Sequence, residues 1–349
     1  MPPVNRYKEN HTTQRFIYIA TAIFFIIGSI AGVYLFNKKG SPVPRRPIHT
    51  IRIAVMPYSF SDYTIYVAER KGYFLKNGIK TKNLFYPHGM ATLQALVDGD
   101  AQLAVCSETP FMHTFLNGNK ICALAITITG DKHLAVVARK DRGIHTPQDM
   151  KGKRIGVTIG SNGEYFLDMV LAFNNLTRKN IHVIDLTPEN MVHALMTGEV
   201  DGVATWNPQK HEAEIALGEK GKTFNADGLY TRLFIVAATR AYAQDHPQVI
   251  KKIIVALDDA TRFIDQTPEA ANALVTTDIR ADIDLLNHIV PAYRFRLSLD
   301  QSFLTTLENQ TRWAMSSGRI PEKDIPNFLE AIYPDALLAI HPENVTLIR

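Results

Sequence analysis

KGKRIGVTIGSNGEYFLDMVLAFNNLTRKNIHVIDLTPENMVHALMTGEVDGVATWNP, residues 151–208, reads as one α/β unit. Residues 154–157 are a short β-branched run that ends at Gly160-Ser161-Asn162-Gly163. The next stretch, to Phe173, is apolar at helical spacing, so the pattern is strand, tight turn, helix. Residues 181–185 form the second strand. Thr187-Pro188-Glu189 then supplies an N-cap, a proline at the first helical position and an acid in the first turn, opening a helix that stops near Gly198. Residues 201–205 give a third strand that leads to Trp206.

An echo of this unit lies earlier in the chain. QALVDGDAQ at 94–102 parallels HALMTGEVD at 193–201, and RIAV at 52–55 parallels RIGV at 154–157, with nearly equal spacing between the two signals. Self-similarity of this kind points to two lobes of one plan, facing each other across a cleft lined by strand-end loops. A chain of 349 residues with 46% hydrophobic residues has room for two such domains with real cores. Its net charge of +4 is spread through interspersed acids and bases, and no basic stripe interleaves with aromatics, so nucleic acid is not an expected partner. Two cysteines, Cys106 and Cys122, are too few for a disulfide framework; an oxidising compartment would allow a single bridge between them, but the reading favoured is buried free thiols on neighbouring strands.

Residues 1–15 are polar and basic, and 16–36 are free of charge and rich in Ile, Phe and Ala. About twenty such residues are what a helix needs to cross a bilayer core of about 30 Å. Ser29-Ile30-Ala31 offers a cleavage site for a signal peptide, but the apolar run continues to Phe36, which favours an uncleaved anchor. Basic residues flank both ends, so the positive-inside count leaves orientation open. Residues 37–50 contain SPVPRRP and read as an extended, semi-rigid linker.

Within 51–138, strands are expected at 51–56, 81–85, 102–106, 122–129 and 133–139, with helices at 63–71, 90–97 and 110–116. The chain after 239 reads as largely helical, over 247–265, 268–275 and 299–316. The first of these has an amphipathic face of Val249, Ile250, Ile253, Ile254 and Leu257 that is expected to pack on the first lobe. All three read as scaffold, their polar residues falling on the outward face.

ERKGYF, ALVDGDA, MKGKRIGV, GSNGEYFL, ALMTGEVDG and WNP, in that order between 51 and 277, resemble the periplasmic solute-binding proteins of ABC importers for sulfonates, taurine, nitrate and thiamine precursors. The resemblance implies a two-lobed, type II periplasmic-binding-protein fold of the α/β class, preceded here by one transmembrane helix. Its first lobe would comprise 51–138 and 234–349. The second, 139–233, would be inserted into it, with 133–139 and 233–239 as crossover strands. It further implies a globular body in the periplasm or outside the cell, tethered to the inner membrane, with permease and ATPase subunits as partners and a small molecule as ligand. A ligand-sensing subunit that signals to a separate membrane partner is the alternative. A fungal pyrimidine synthase of the same fold carries a cysteine-rich iron motif, which two cysteines do not match.

Catalytic signatures are not found. Gly160-Ser161-Asn162-Gly163 lacks a P-loop lysine and dinucleotide spacing, no GxSxG elbow occurs, and His211-Glu212 is not followed by a second histidine at zinc-protease spacing. No enzyme activity, cofactor or metal is therefore expected. The ligand-binding candidates are the strand-end residues Tyr58, Ser59 and Asp62, then Ser107, Glu108 and Thr109, then Ser161, Asn162, Gly163 and Trp206. Asp62, Glu108 and Glu164, with aromatic Tyr58 and Trp206 and no basic residue in the same loops, favour a cation or neutral heterocycle over a sulfonate-like anion. Arg139 and Arg232, near the crossover, are the residues that would reverse that balance.

Overall fold

Leu134, Val136 and Ala138 belong to one buried cluster, while Ala135 and Val137, alternating with them, belong to another. A strand buried on both faces reads as a continuous apolar run, and this one lies in a sheet covered by helices on each side. The structure, a computed structural model, describes residues 16, 18, 21–29, 48–57, 59–132, 134–225, 230–321 and 324–348. It divides into Met1–Pro47 and Ile48–Arg349. In the first unit, the described residues of the expected anchor are helical, and the rest of 1–47 lies outside the described residues. Among the described residues, no helix is long and apolar enough to cross a membrane.

The second unit carries strands β1 (His49–Val55), β2 (Ile79–Phe85), β3 (Leu103–Ser107), β4 (Ile121–Gly130), β5 (Leu134–Arg139) and β6 (Arg154–Val157). They are followed by β7 (His182–Asp185), β8 (Gly202–Trp206), β9 (Gly221–Asn225), β10 (Arg232–Thr239), β11 (Tyr293–Asp300) and β12 (Val345–Thr346). One sheet has the order β12-β11-β4-β10-β3-β1-β2, the other β7-β6-β8-β5-β9. The echo in the sequence is an echo in topology. β1 runs parallel to β2 and β3, with β10 antiparallel beside β3; β6 runs parallel to β7 and β8, with β5 antiparallel beside β8. In both repeats the helix before the third strand gives way to a glycine in the left-handed region, Gly99 at φ +79° and Gly198 at φ +80°, which turns the chain into that strand.

The chain passes from the first sheet to the second between β4 and β5 and returns between β9 and β10. β5 pairs within the second sheet and β10 within the first, so each expected crossover strand belongs wholly to one lobe. Cys106 and Cys122 are buried and free, but β10 lies between their strands, so they are not on neighbouring strands. The C-terminal region departs most from the sequence reading. Leu299, expected to start a helix, lies in β11, which ends at Asp300, and the helix begins at Gln301 with Asp300 at its N-cap position. Helix Pro247–Gln266 does bury Val249, Ile250, Ile253, Ile254 and Leu257 in the core of the first lobe.

Candidate functional site

The ends of β1, β3, β6 and β8 meet at the boundary between the two sheets, around a cavity of about 60 Å³. Residues of both sheets line it, so the two lobes meet around it. Of the ligand-binding candidates, Ser59, Ser107, Ser161, Asn162 and Trp206 line it. Asp62, Glu108, Thr109 and Gly163 do not, and Tyr58 lies outside the described residues. The lining also contains Arg232, which the sequence places near the crossover but not among the ligand-binding candidates, and His88, Thr158 and Gln209, which sequence reasoning missed.

Arg232 changes the electrostatics. It sits at the start of β10, is only 5% exposed, and its Nε is buried with no hydrogen-bond partner. Its guanidinium lies 5.1 Å from the ring centroid of Trp206, across the cleft, and 4.5 Å from that of Phe234. Burial depresses its pKa to about 10, the nearby Glu108 opposing the shift, so it stays cationic at neutral pH. Arg139, the other basic residue near the crossover, is spent elsewhere, on Asp141 at 2.8 Å and the Leu195 carbonyl at 2.9 Å.

Helices Gly89–Val97, Asn162–Phe173 and Pro188–Thr197 each present their first residue to the cavity. Three helix N-termini and a buried guanidinium add positive potential at one place. Glu189, exposed at the rim, is the carboxylate among the described lining residues. The balance that favoured a cation is therefore reversed: the expected acids stand behind the wall, and the expected absence of a base is corrected by Arg232.

The displaced acids are structural. Asp62 accepts from Ser61 Oγ at 2.8 Å and from the Met56 N–H at 3.2 Å, and Ser61 Oγ lies 2.7 Å from Ser59 Oγ. This fixes the loop that carries Met56, Pro57 and Ser59 to the cavity. Burial holds the Asp62 pKa well above the usual carboxylate range. Gly163 has a packing role, since a Cβ there would stand 3.0 Å from the Ala204 carbonyl oxygen and 3.2 Å from the Trp206 ring.

Glu108 joins the lobes. Its Oε2 accepts from the Leu233 N–H at 2.9 Å, while Oε1 accepts from Asn162 Nδ2 at 2.7 Å and Gln310 Nε2 at 3.4 Å. Ser107 Oγ donates to Asn162 Oδ1, and Asn162 Nδ2 also reaches Tyr230. Asn162 belongs to the second lobe and Ser107, Glu108 and Gln310 to the first, so one amide ties them together. Burial raises the Glu108 pKa to about 7 against the opposing charge of Arg232.

A second junction contains the opposite chemistry. Glu164 accepts from Arg319 of the C-terminal region and from the Gly160 N–H at 2.8 Å, and pairs with Arg178 at 2.9 Å. Asp168 accepts from Trp313 Nε1 at 2.8 Å and from Arg178 Nε at 2.6 Å. Burial alone would raise the Glu164 pKa, but the Arg319 hydrogen bond, the Gly160 N–H and the Arg178 charge hold it below the ordinary range. The helix Gln301–Ser316 is thus not pure scaffold: fully buried Gln310 and half-buried Trp313 both reach the neighbourhood of the second lobe.

A larger groove of about 820 Å³ runs between helix Pro247–Gln266 and β11. Several of its polar residues already hold one another: His341 bridges Asp258 and Glu343, Arg262 holds Asp258, and Arg296 holds Asn344. The small cavity, with a buried guanidinium whose Nε has no hydrogen-bond partner, is the better site.

The family described as NMT1/THI5 like matches residues 60–271. The taurine-binding periplasmic protein of Escherichia coli (strain K12) is 26% identical over 193 residues, 54% of this chain and 57% of that protein. Among solved structures, the periplasmic aliphatic sulphonate binding protein SsuA from Escherichia coli matches with a TM-score of 0.70 at 18% identity, covering 82% of this chain and 97% of its own. The alkanesulfonate-binding protein SsuA from Xanthomonas axonopodis pv. citri, bound to MOPS, matches with a TM-score of 0.71 at 18% identity, over 82% and 99%.

Proposed function

The chain belongs to the NMT1/THI5-like family, and from that premise we propose that it is the solute-capturing component of an ABC importer, taking a small organic anion of the sulfonate class into its cleft. The observation that carries this reading is Arg232, a cation 5% exposed whose Nε has no partner, at a cavity where three helices begin. A buried guanidinium with an unsatisfied Nε is costly, and an anionic head group lowers that cost by supplying charge and an acceptor atom together. Met56, Pro87, Met90, Pro110 and Trp206 give the same cavity apolar walls for an organic tail. The names of similar proteins, which bind taurine and sulfonates, support the same class.

Capture proceeds by closing the lobes, with Asn162 and Glu164 meeting their partners as the cleft shuts. The protein holds its ligand without turning it over and passes it to permease and ATPase subunits. The uncharged run at 16–36 tethers the body outside the cytoplasm. Protease added to spheroplasts is expected to remove that body, and complete protection would place it on the other side.

The ligand class is tested by a thermal-shift screen of the tag-free full chain against taurine, alkanesulfonates, nitrate, primary amines and a hydroxymethylpyrimidine. Stabilisation by sulfonates, with the compound recovered unchanged, is the expected result. Stabilisation by amines or pyrimidines alone would overturn the anionic reading, and steady product formation would overturn the non-catalytic one.

A further inference from the structure

His211 and His288 are remote in sequence but adjacent in space. His211 lies on helix Gln209–Leu217 of the second lobe, just past the cavity-lining Gln209, and His288 lies on helix Ile283–Ile289 of the first. Their ring centroids are 5.6 Å apart, with the planes at 42°. Among the described residues neither ring takes part in a hydrogen bond or an ion pair, unlike His341, which has a carboxylate at each nitrogen, and His88, whose Nδ1 caps its own helix. His211 is half-buried and His288 exposed, so water and ions reach both.

The spacing suits a shared metal ion. An imidazole nitrogen binds zinc at about 2.1 Å, which places the ring centroid roughly 3.2 Å from the metal. Two rings at a tetrahedral angle then hold their centroids about 5 Å apart, and two nearly opposite each other hold them about 6 Å apart. The observed 5.6 Å falls between these limits. Unprotonated imidazole is a good ligand for late transition-metal dications such as Zn²⁺, Ni²⁺ and Cu²⁺, and unsuited to Mg²⁺ or Ca²⁺, which take oxygen.

We propose that His211 and His288 form a two-histidine site for a late transition-metal dication, with water in the remaining coordination positions, and that the site is complete only when the two lobes are together. No cluster of three or more metal-ligating side chains occurs among the described residues, so this is a bridging site rather than a structural metal cage. Because one ligand comes from each lobe, the ion binds the closed form better than any open one and shifts the population towards it. Gln209, two residues before His211, carries that bias to the cavity wall.

The experiment uses the full chain without a histidine tag, stripped with chelator and dialysed, and titrates it with ZnCl₂ in the calorimeter while following the emission of Trp206 and Trp313, the two tryptophans of the chain. Wild type is expected to bind one equivalent with an accompanying emission change. His211→Gln and His288→Gln should each weaken zinc binding at least tenfold and remove the emission change, and the double variant should be no worse than either single one. Thermal melts of the variants establish that they are folded. Zinc affinity that persists in either single variant, or no zinc bound by wild type, overturns the site. Zinc binding that depends on both histidines but leaves emission unchanged overturns its link to closure.

Discussion

Glu108 and Glu164 each lie in the first turn of a helix beside the cleft, each is fully buried, and each reaches the opposite lobe, yet they stand at opposite ends of carboxylate behaviour. Glu164 is met by Arg319 and Arg178 and stays ionised below the ordinary range. Glu108 is met by neutral donors, an asparagine, a glutamine and a backbone N–H, and burial lifts its pKa to about 7. Burial acts alike on both; what differs is whether a cation sits within hydrogen-bonding reach. The difference matters at the cavity. A carboxylate satisfied by neutral donors has no need to capture Arg232 in a direct ion pair, so that guanidinium remains open to a ligand.

The sharpest way to break this comparison is to remove the cation left free. Arg232→Gln is expected to weaken sulfonate binding several-hundredfold, about 3–4 kcal/mol, because a buried charged partner is lost from an anion that has been desolvated. Calorimetry on the tightest sulfonate from the screen measures it. An unchanged dissociation constant would mean that Glu108, rather than a ligand, is the partner of Arg232.

Next comes the ionised junction itself. Glu164→Gln leaves Arg319 and Arg178 facing a neutral amide, and we expect a loss of about 2–3 kcal/mol in urea unfolding, somewhat less than for a fully buried pair because the two arginine side chains keep 17% and 25% of their exposure. A loss below about 0.5 kcal/mol would put this junction among ordinary surface pairs.

Much of this contrast was hidden in the sequence for definable reasons. Strands and helices of the repeated units were legible because apolar periodicity and the glycines at 99 and 198 state them locally. Tyr293, Leu297 and Leu299 alternate as a half-buried strand should, so β11 was legible too and was masked by the helical periodicity that follows it. Gln310 had a signal as well: it shares the buried helical face of Phe303, Leu307 and Ala314, where an uncharged polar residue calls for a partner. Glu108 stood out as a carboxylate that packing does not explain, but its partners are remote in sequence: Asn162 of the second lobe, and Leu233 and Gln310 of the first. Arg232 could be placed near the crossover but not told apart from Arg139, because only the return of β10 into the first sheet brings it beside Trp206.

A pH series sharpens the comparison further. With a native pKa of about 7 against about 4.5 unfolded, Glu108 binds its proton more tightly in the native state, so its contribution is full at low pH and is lost as pH rises from 4.5 to 7. Glu164 does the reverse: its contribution is present above the unfolded value and is lost as pH falls through its depressed native one. We expect Glu108→Gln to flatten the decline between pH 4.5 and 7, on the order of 2 kcal/mol, and Glu164→Gln to leave that decline intact. An unaltered slope in Glu108→Gln would show that its surroundings are not as dry as its burial implies.

The smallest expected effect guards that result against a confounder. His341 has Glu343 at 2.8 Å on Nδ1 and Asp258 at 3.0 Å on Nε2, and these two hydrogen bonds raise its pKa in that order. Two carboxylates can both be served only by the doubly protonated ring, so the bridge is charged when formed. Its stabilisation is complete below the unfolded value of about 6.5 and disappears as pH rises through the raised native value. The direction is therefore the same as for Glu108, but the window lies higher and the side chain is 31% exposed, which limits the contribution to below about 1 kcal/mol. His341→Gln should remove a shallow decline above pH 6.5 and leave the steeper one below pH 7 to Glu108. If His341→Gln instead abolishes the decline from pH 4.5 upward, the slope belongs to the C-terminal histidine, and the contrast between the two lobe junctions loses its pH signature.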